Sequence, residues 1–258
     1  MFNMNYKLEG KGETLVFIHG LSDNLLYWEY LSSNLKNHYQ ILRIDLRGHG
    51  NSELGNDEIT VGLFADDLKN LLNDLNIKKV NLIGFSLGGA IALDFTIKYP
   101  NLVSSLVLMS SFYKSDEYLS NVLNQFKNAL GNSFEEFYDL ILPMVLCPDV
   151  INDNFEELES LKRLASETAD TQAYIKAASA CLNFNVEYDL SQINVPTLIF
   201  AGKYDEISLL SSQKNLQRKI KGSKLIVFDD VRHNLLVGKN NVEILDILKE
   251  FYKKIEIK

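Results

Sequence analysis

The sequence predicts an α/β protein built on a mostly parallel sheet. Three observations carry this. Short apolar runs of strand length recur at Thr14–Ile18, Gln40–Ile44, 80–83, 105–109, 196–202 and Lys224–Phe228. Stretches of helical spacing separate most of them. The runs end in glycine- or polar-rich turns, as at His19-Gly20 and at 45–52. Runs that are apolar on both faces suit parallel strands covered by helices on both sides.

Taken in order, residues 5–9 form a short first strand, with a turn at Gly10-Lys11-Gly12. Thr14–Ile18 is the second strand. Residues 25–35 have helical spacing, with Trp28, Leu31 and Leu35 on one face. Gln40–Ile44 leads into the loop 45–52. Thr60 is an N-cap for a helix over 61–75 whose apolar face is Phe64, Leu68, Leu71, Leu72 and Leu75; Asp66 and Asp67 read as its solvated face. The run 80–83 stops at Gly84, and an Ala/Leu/Ile-rich helix follows, ended by Pro100. After the strand 105–109 the alternation lapses. Residues 113–185 hold no strand-like run, and 117–130, 134–142, 155–167 and Thr171–Leu182 are amphipathic helices. Alternation then resumes with a helix over 209–220 and another over 242–254.

The bulk properties set bounds. A chain of 258 residues with 46% apolar content holds one large domain or a core with an insertion. The net charge of −8 argues against nucleic acid or an anionic membrane as partner. Residues 113–185 carry 12 acidic and 5 basic residues, a net of −7, so this segment holds nearly all of the excess. No run is long enough to span a membrane and no signal-peptide pattern opens the chain. With two cysteines, Cys147 and Cys181, this predicts a cytoplasmic protein with reduced thiols, a monomer or a small homo-oligomer. No cluster has metal-ligand spacing and no phosphate-binding loop is present, so neither metal nor cofactor is expected.

The chemistry concentrates on Gly84-Phe85-Ser86-Leu87-Gly88. This is the G-x-S-x-G pattern of a nucleophile elbow, set between an apolar strand and an apolar helix. A sharp strand-to-helix turn strains the serine backbone and crowds its neighbours, and glycines relieve the crowding. A serine hydroxyl needs a base, and the base needs a carboxylate. Of the four histidines, His38 lies in a polar stretch, His19 and His49 fall in loops, and His233 follows the last strand. Sites on open parallel sheets form outside the carboxyl ends of strands, a condition that Ser86, His19 and His233 meet. Asp205, after the strand ending at Gly202, meets it too. Its rivals as the acid are Glu206 and Asp116.

Together, His19-Gly20, the loop 45–52, the elbow with Gly89, the strand 195–202 with Asp205, and the late His233 make the sequence resemble the α/β-hydrolase fold superfamily over nearly its whole length. Within it, the chain is similar to the branch of small carboxylesterases, enol-lactonases, C–C bond hydrolases and cofactor-free haloperoxidase-like enzymes. The resemblance implies a mostly parallel sheet flanked by helices, with a helical cap inserted after the sixth strand. The core is then 1–111 and 186–258, and the cap 112–185. It implies Ser86 as nucleophile, His233 as base and Asp205 as orienting acid. An oxyanion hole is implied at the backbone N–H groups of Leu21 and Leu87, with Ser22 the alternative to Leu21. Phe112, Tyr113, Phe137 and Met144 are the expected substrate-binding residues. The expected activity is cleavage of a small-molecule carboxylic ester through an acyl-enzyme. The alternatives are C–C, lactone or thioester hydrolysis on the same fold, or a ligand-sensing signalling protein.

Overall fold

The apolar runs assemble into one seven-stranded sheet in a computed structural model that describes residues 2–256. The strands are β1 (Tyr6–Glu9), β2 (Thr14–Ile18), β3 (Gln40–Ile44), β4 (Val80–Phe85), β5 (Val103–Met109), β6 (Thr197–Gly202) and β7 (Lys224–Phe228). Their spatial order is β1-β3-β2-β4-β5-β6-β7. β1 runs antiparallel to β3, and every other pairing is parallel. Period-2 alternation splits the strand side chains between two cores. Val16 and Ile18 of β2 join one, Leu15 and Phe17 the other. Helices α1 (Glu29–Leu35) and α10 (Asn240–Glu256) cover the Leu15/Phe17 face. Helices α2 (Val61–Asp74), α3 (Leu87–Lys98) and α9 (Leu210–Lys219) cover the opposite face.

The strand order places a crevice. From β2 the chain steps one way, to β3; from β4 it steps the other way, to β5. The carboxyl ends of β2 and β4 therefore flank a topological switch point, where loops diverge and leave a gap. The β2–β4 register pairs Ile18 with Gly84. His19 and Gly20 then leave the sheet beside Phe85 and Ser86.

Between β5 and β6 lie five helices: α4 (Glu117–Asn132), α5 (Phe134–Val145), α6 (Pro148–Asp153), α7 (Phe155–Thr168) and α8 (Thr171–Leu182). Side-chain caps start three of them. Asp116 accepts from Leu119 N at 3.0 Å, Ser133 from Glu136 N at 3.1 Å and Asp170 from Ala173 N at 3.0 Å. The ends of the insertion are tied by Val186 N donating to Tyr113 O at 2.9 Å and by an antiparallel bridge between Lys114 and Asn185. α4 and α8 pack on each other and reach the core; α7 packs on α5 and α6 and has no fully buried residue.

Four details differ from expectation. Counted within this chain, the strand before the insertion is the fifth. Helix α6 has no counterpart among the expected helices, being only six residues long with Pro148 at its start. The segment 25–35 begins as a 3₁₀ turn, Leu25–Trp28, before α1. Asp67 does not face solvent: it is buried and takes a bidentate pair from Arg47 at 2.8 and 2.7 Å. That pair fastens the loop after β3 to α2. Breaking one partner of a buried pair of this kind costs roughly 3–5 kcal/mol.

Candidate active site

Ser86 stands on the turn between β4 and α3 with φ 52° and ψ −116°, a conformation of order 1–3 kcal/mol above the allowed basins. The surroundings hold it there. Ser86 N donates to Met109 O at 2.9 Å, and Ser86 O accepts from Gly89 N at 3.0 Å and Ser111 Oγ at 3.0 Å. The glycines are required by close approach. A Cβ on Gly84 would run into the Gly88 carbonyl, and one on Gly88 would run into the carbonyl oxygens of Ile18 and His19. The start of α3 is thereby pressed onto the end of β2.

His233 bridges the serine and a carboxylate. Its Nε2 lies 2.9 Å from Ser86 Oγ, and its Nδ1 lies 2.9 and 3.0 Å from the two Asp205 oxygens. The Nδ1 contact to a carboxylate makes Nδ1–H the donor, which leaves Nε2 to accept from the hydroxyl. Asp205 Oδ1 also accepts from Ile207 N and Ser208 N, both at 2.8 Å. Asp205 and His233 are both buried, and the His233 ring rests on Phe85 with centroids 5.1 Å apart. The rivals are occupied elsewhere: Asp116 caps α4, and the exposed Glu206 pairs with Arg232 at 3.1 Å.

The other histidines act on the backbone. His19 Nδ1 donates to Gly20 O at 2.8 Å and Nε2 accepts from Leu46 N at 3.0 Å, so both nitrogens are used. His49 Nδ1 donates to Arg47 O at 3.0 Å, and its ring lies 5.3 Å from His19 and 4.8 Å from Tyr174. Burial lowers both, His19 to about 4 and His49 to about 3. They are neutral rings that brace the loops after β2 and β3. His38 is exposed. Asp45 braces the same loops, accepting from Leu25 N, Asn51 N and Asn5 Nδ2 at 2.7, 2.9 and 2.7 Å.

Ser86 and His233 open into a cavity of about 780 Å³, within the range of small-molecule sites. The core supplies Leu21, Asp23, Tyr27, Asn51 and Asn234, a largely polar wall. The insertion supplies an apolar one. Phe134, Phe137, Tyr138, Ile141, Leu142 and Val145 of α5 line it at helical spacing, with Leu158, Leu161 and Leu164 of α7 beyond. Leu21 and Leu87 both border the cavity beside Ser86. Leu87 N is the first amide of α3 and has no acceptor within the helix. Ser22, which also lines the cavity, has φ 62°.

Of the four residues expected to bind substrate, Phe112 and Phe137 line this cavity and Tyr113 and Met144 do not. Tyr113, at the bend before the bridge from Lys114 to Asn185, is buried at an outer groove with Lys114 and Lys219 instead. Met144 falls at the margin of the α5 stripe and packs on the core. The cysteines are free: Cys147 donates to Asp230 O at 3.4 Å, and Cys181, at the cavity wall, is pushed up to about 12 by burial, an inert thiol.

Sequence reasoning missed Asp23, Tyr27 and Asn234. Tyr27 stacks on Phe85 at 4.7 Å and donates its hydroxyl to Asn234 Oδ1 at 3.0 Å. Burial raises Asp23 to about 7, with the charge of His233 pulling the other way. The one available signal was position: all three follow strand carboxyl ends. Among the described residues, no three His, Cys, Asp or Glu side chains are grouped to hold a metal ion, and no helix is long and apolar enough to cross a membrane.

The sheet order, the elbow and the hydrogen-bonded Ser–His–Asp set define a class, and comparison with known proteins agrees: residues 13–239 match the α/β hydrolase fold family, to which the chain belongs. Among curated relatives, an uncharacterized protein of Mycobacterium tuberculosis is 33% identical over 106 residues, 41% of this chain, so the chain spans about a third (31%) of that relative. The AB hydrolase superfamily protein YisY of Bacillus subtilis is 27% identical over 87% of this chain and 86% of its own. The pimeloyl-[acyl-carrier protein] methyl ester esterase of Aliivibrio fischeri is 26% identical over 96% of this chain and 97% of its own. Among solved structures, an α/β hydrolase from a Medee basin deep-sea metagenome library superposes with a TM-score of 0.92 at 23% identity, covering 98% of this chain and 94% of that one.

Proposed function

We propose that the protein is a serine hydrolase that cleaves small carboxylic esters through an acyl-enzyme. The observation that carries this reading is the His233 ring held between Ser86 Oγ and Asp205, at 2.9 Å on each side, at the wall of a cavity with an apolar half. His233 Nε2 takes the Ser86 proton as Oγ attacks the ester carbonyl. Asp205 accepts from Nδ1–H, fixes the tautomer and stabilises the imidazolium. The oxyanion is received by the N–H groups of Leu21 and Leu87, aided by the positive end of α3. His233 then protonates the leaving alcohol. Water, activated by the same nitrogen, releases the acid and restores Ser86.

Residues 112–185 act as a cap over the core formed by 1–111 and 186–258. The acyl portion lies along Phe112, Phe137 and the α5 stripe, where an apolar chain gains about 0.8 kcal/mol per buried methylene. The ester chemistry in the name of the Aliivibrio fischeri relative supports the same bond type. The test is turnover of p-nitrophenyl acetate by wild type and Ser86→Ala. The reading expects loss of turnover in the variant; equal rates in the two proteins would overturn it.

A further inference from the structure

One carboxylate in the cavity has no role in the scheme above. Asp23 lies on the loop after β2, four residues beyond His19. Its backbone N contacts Gly20 O at 3.5 Å, and its side chain lines the cavity together with Ser86 and His233. A Cβ on Gly20 would stand 3.4 Å from Asp23 Oδ2 and 3.0 Å from the Phe85 ring, so the carboxylate sits against the loop that carries Leu21. Among the described residues, no donor hydrogen-bonds it. No lysine or arginine lines the cavity either. The other acid on the wall, Asp45, is spent on three donors.

A half-buried carboxylate that faces a cavity without a donor or a cation is out of balance. Enclosed charges are paired or lose their ionisation. Here the charge also stands beside the loop where an oxyanion would develop, and two negative charges repel. A cation lodged in the cavity would resolve both: it would satisfy Asp23 through a charge-assisted contact and cancel the repulsion. The rise of Asp23 to about 7 is the expected response of the same group with the cavity free of such a partner.

Resting on the ester-hydrolase reading, we propose that Asp23 is a specificity-determining residue that selects substrates carrying a cationic nitrogen, with that group seated against the loop after β2. The cation can belong to the acyl or the alcohol half of the ester, and two matched pairs separate these. p-Nitrophenyl 4-(trimethylammonio)butanoate is compared with its carbon isostere, p-nitrophenyl 5,5-dimethylhexanoate. Butyrylcholine is compared with 3,3-dimethylbutyl butyrate. For wild type, kcat/KM favours the charged member of one pair by about tenfold or more, and Asp23→Asn lowers that ratio by about tenfold or more. Fluorophosphonate labelling of Ser86 in Asp23→Asn checks that the variant's site is intact. Wild type that turns over the neutral esters with no charge preference in either pair overturns the Asp23 proposal and leaves the hydrolase reading standing. So does a preference that survives unchanged in Asp23→Asn. Failure of wild type on all four esters, with no labelling of Ser86, overturns both.

Discussion

Two carboxylates flank the candidate site from different loops, and their surroundings are opposites. Asp205, after β6, is buried and accepts from Ile207 N, Ser208 N and His233 Nδ1. Asp23, after β2, faces the same cavity with no hydrogen-bond donor among the described residues and is raised to about 7. Hydrogen bonds to a carboxylate favour its ionised form, and enclosure without them disfavours it. On the proposed reading, one residue type serves two tasks in one site. In that reading, the carboxylate furnished with donors orients the base, and the one without them receives a cationic ligand.

The sharpest way to break this contrast is Asp205→Asn. The amide cannot receive Nδ1–H as a charged partner and favours the wrong tautomer, so kcat should fall by about 10⁴ with the fold intact. Steady-state kinetics with circular dichroism checks both. A loss below about tenfold would mean that the Asp205 corner is structural.

Next in size is the acid response of the loop histidines. His19 and His49 have native values of about 4 and 3 against an ordinary 6.5. Between those limits the unfolded chain binds more protons, so stability falls as pH drops below 6.5 and the loss is complete below about 3. At that limit His19 accounts for roughly 3 kcal/mol of the loss and His49 for roughly 5 kcal/mol. His49→Gln should therefore move the acid-unfolding midpoint to lower pH, read by near-ultraviolet circular dichroism. An unchanged midpoint would remove His49 from the account.

Asp23 behaves with the opposite sign. Its native value lies above the ordinary 3.8, so the folded state is penalised as pH rises from 4 to 7 and carries the full cost above 7. Asp23→Asn should match wild type in Tm near pH 4 and exceed it by several degrees at pH 8, with an upper bound of about 4 kcal/mol that solvent around the half-buried side chain reduces. Equal Tm at both pH values would show Asp23 to be well solvated. The smallest effect is in the cap. Ile141→Ala, on the cavity-lining stripe, should shift the preferred acyl chain length by about threefold to tenfold in kcat/KM ratio, and Met144→Ala should not.

Legibility follows the same physics. Strand runs buried on both faces, such as Thr14–Ile18, read clearly because their chemistry is local. The trio Ser86, Asp205 and His233 was readable because each follows a strand end, and the order of those ends is set by topology. Asp67 was misread because its partner Arg47 lies in another element, and a helix face reads as solvated until that partner is seen. Tyr113 and Met144 fall outside the cavity lining, which aromatic or apolar identity alone does not reveal, since it does not say which way a side chain points. Asp23 was invisible for a further reason: its distinguishing property is that no donor among the described residues hydrogen-bonds its side chain, which no local pattern encodes. The N–H groups of Leu21 and Leu87 belong to the backbone and leave no trace in side-chain identity.

An activated Ser86 should react with a fluorophosphonate, which intact-mass analysis reads. One phosphonyl adduct is expected on wild type, mapped by peptide analysis to Ser86, absent from Ser86→Ala and formed far more slowly by Asp205→Asn. An unlabelled wild type, or an adduct on another residue, would contradict that activation.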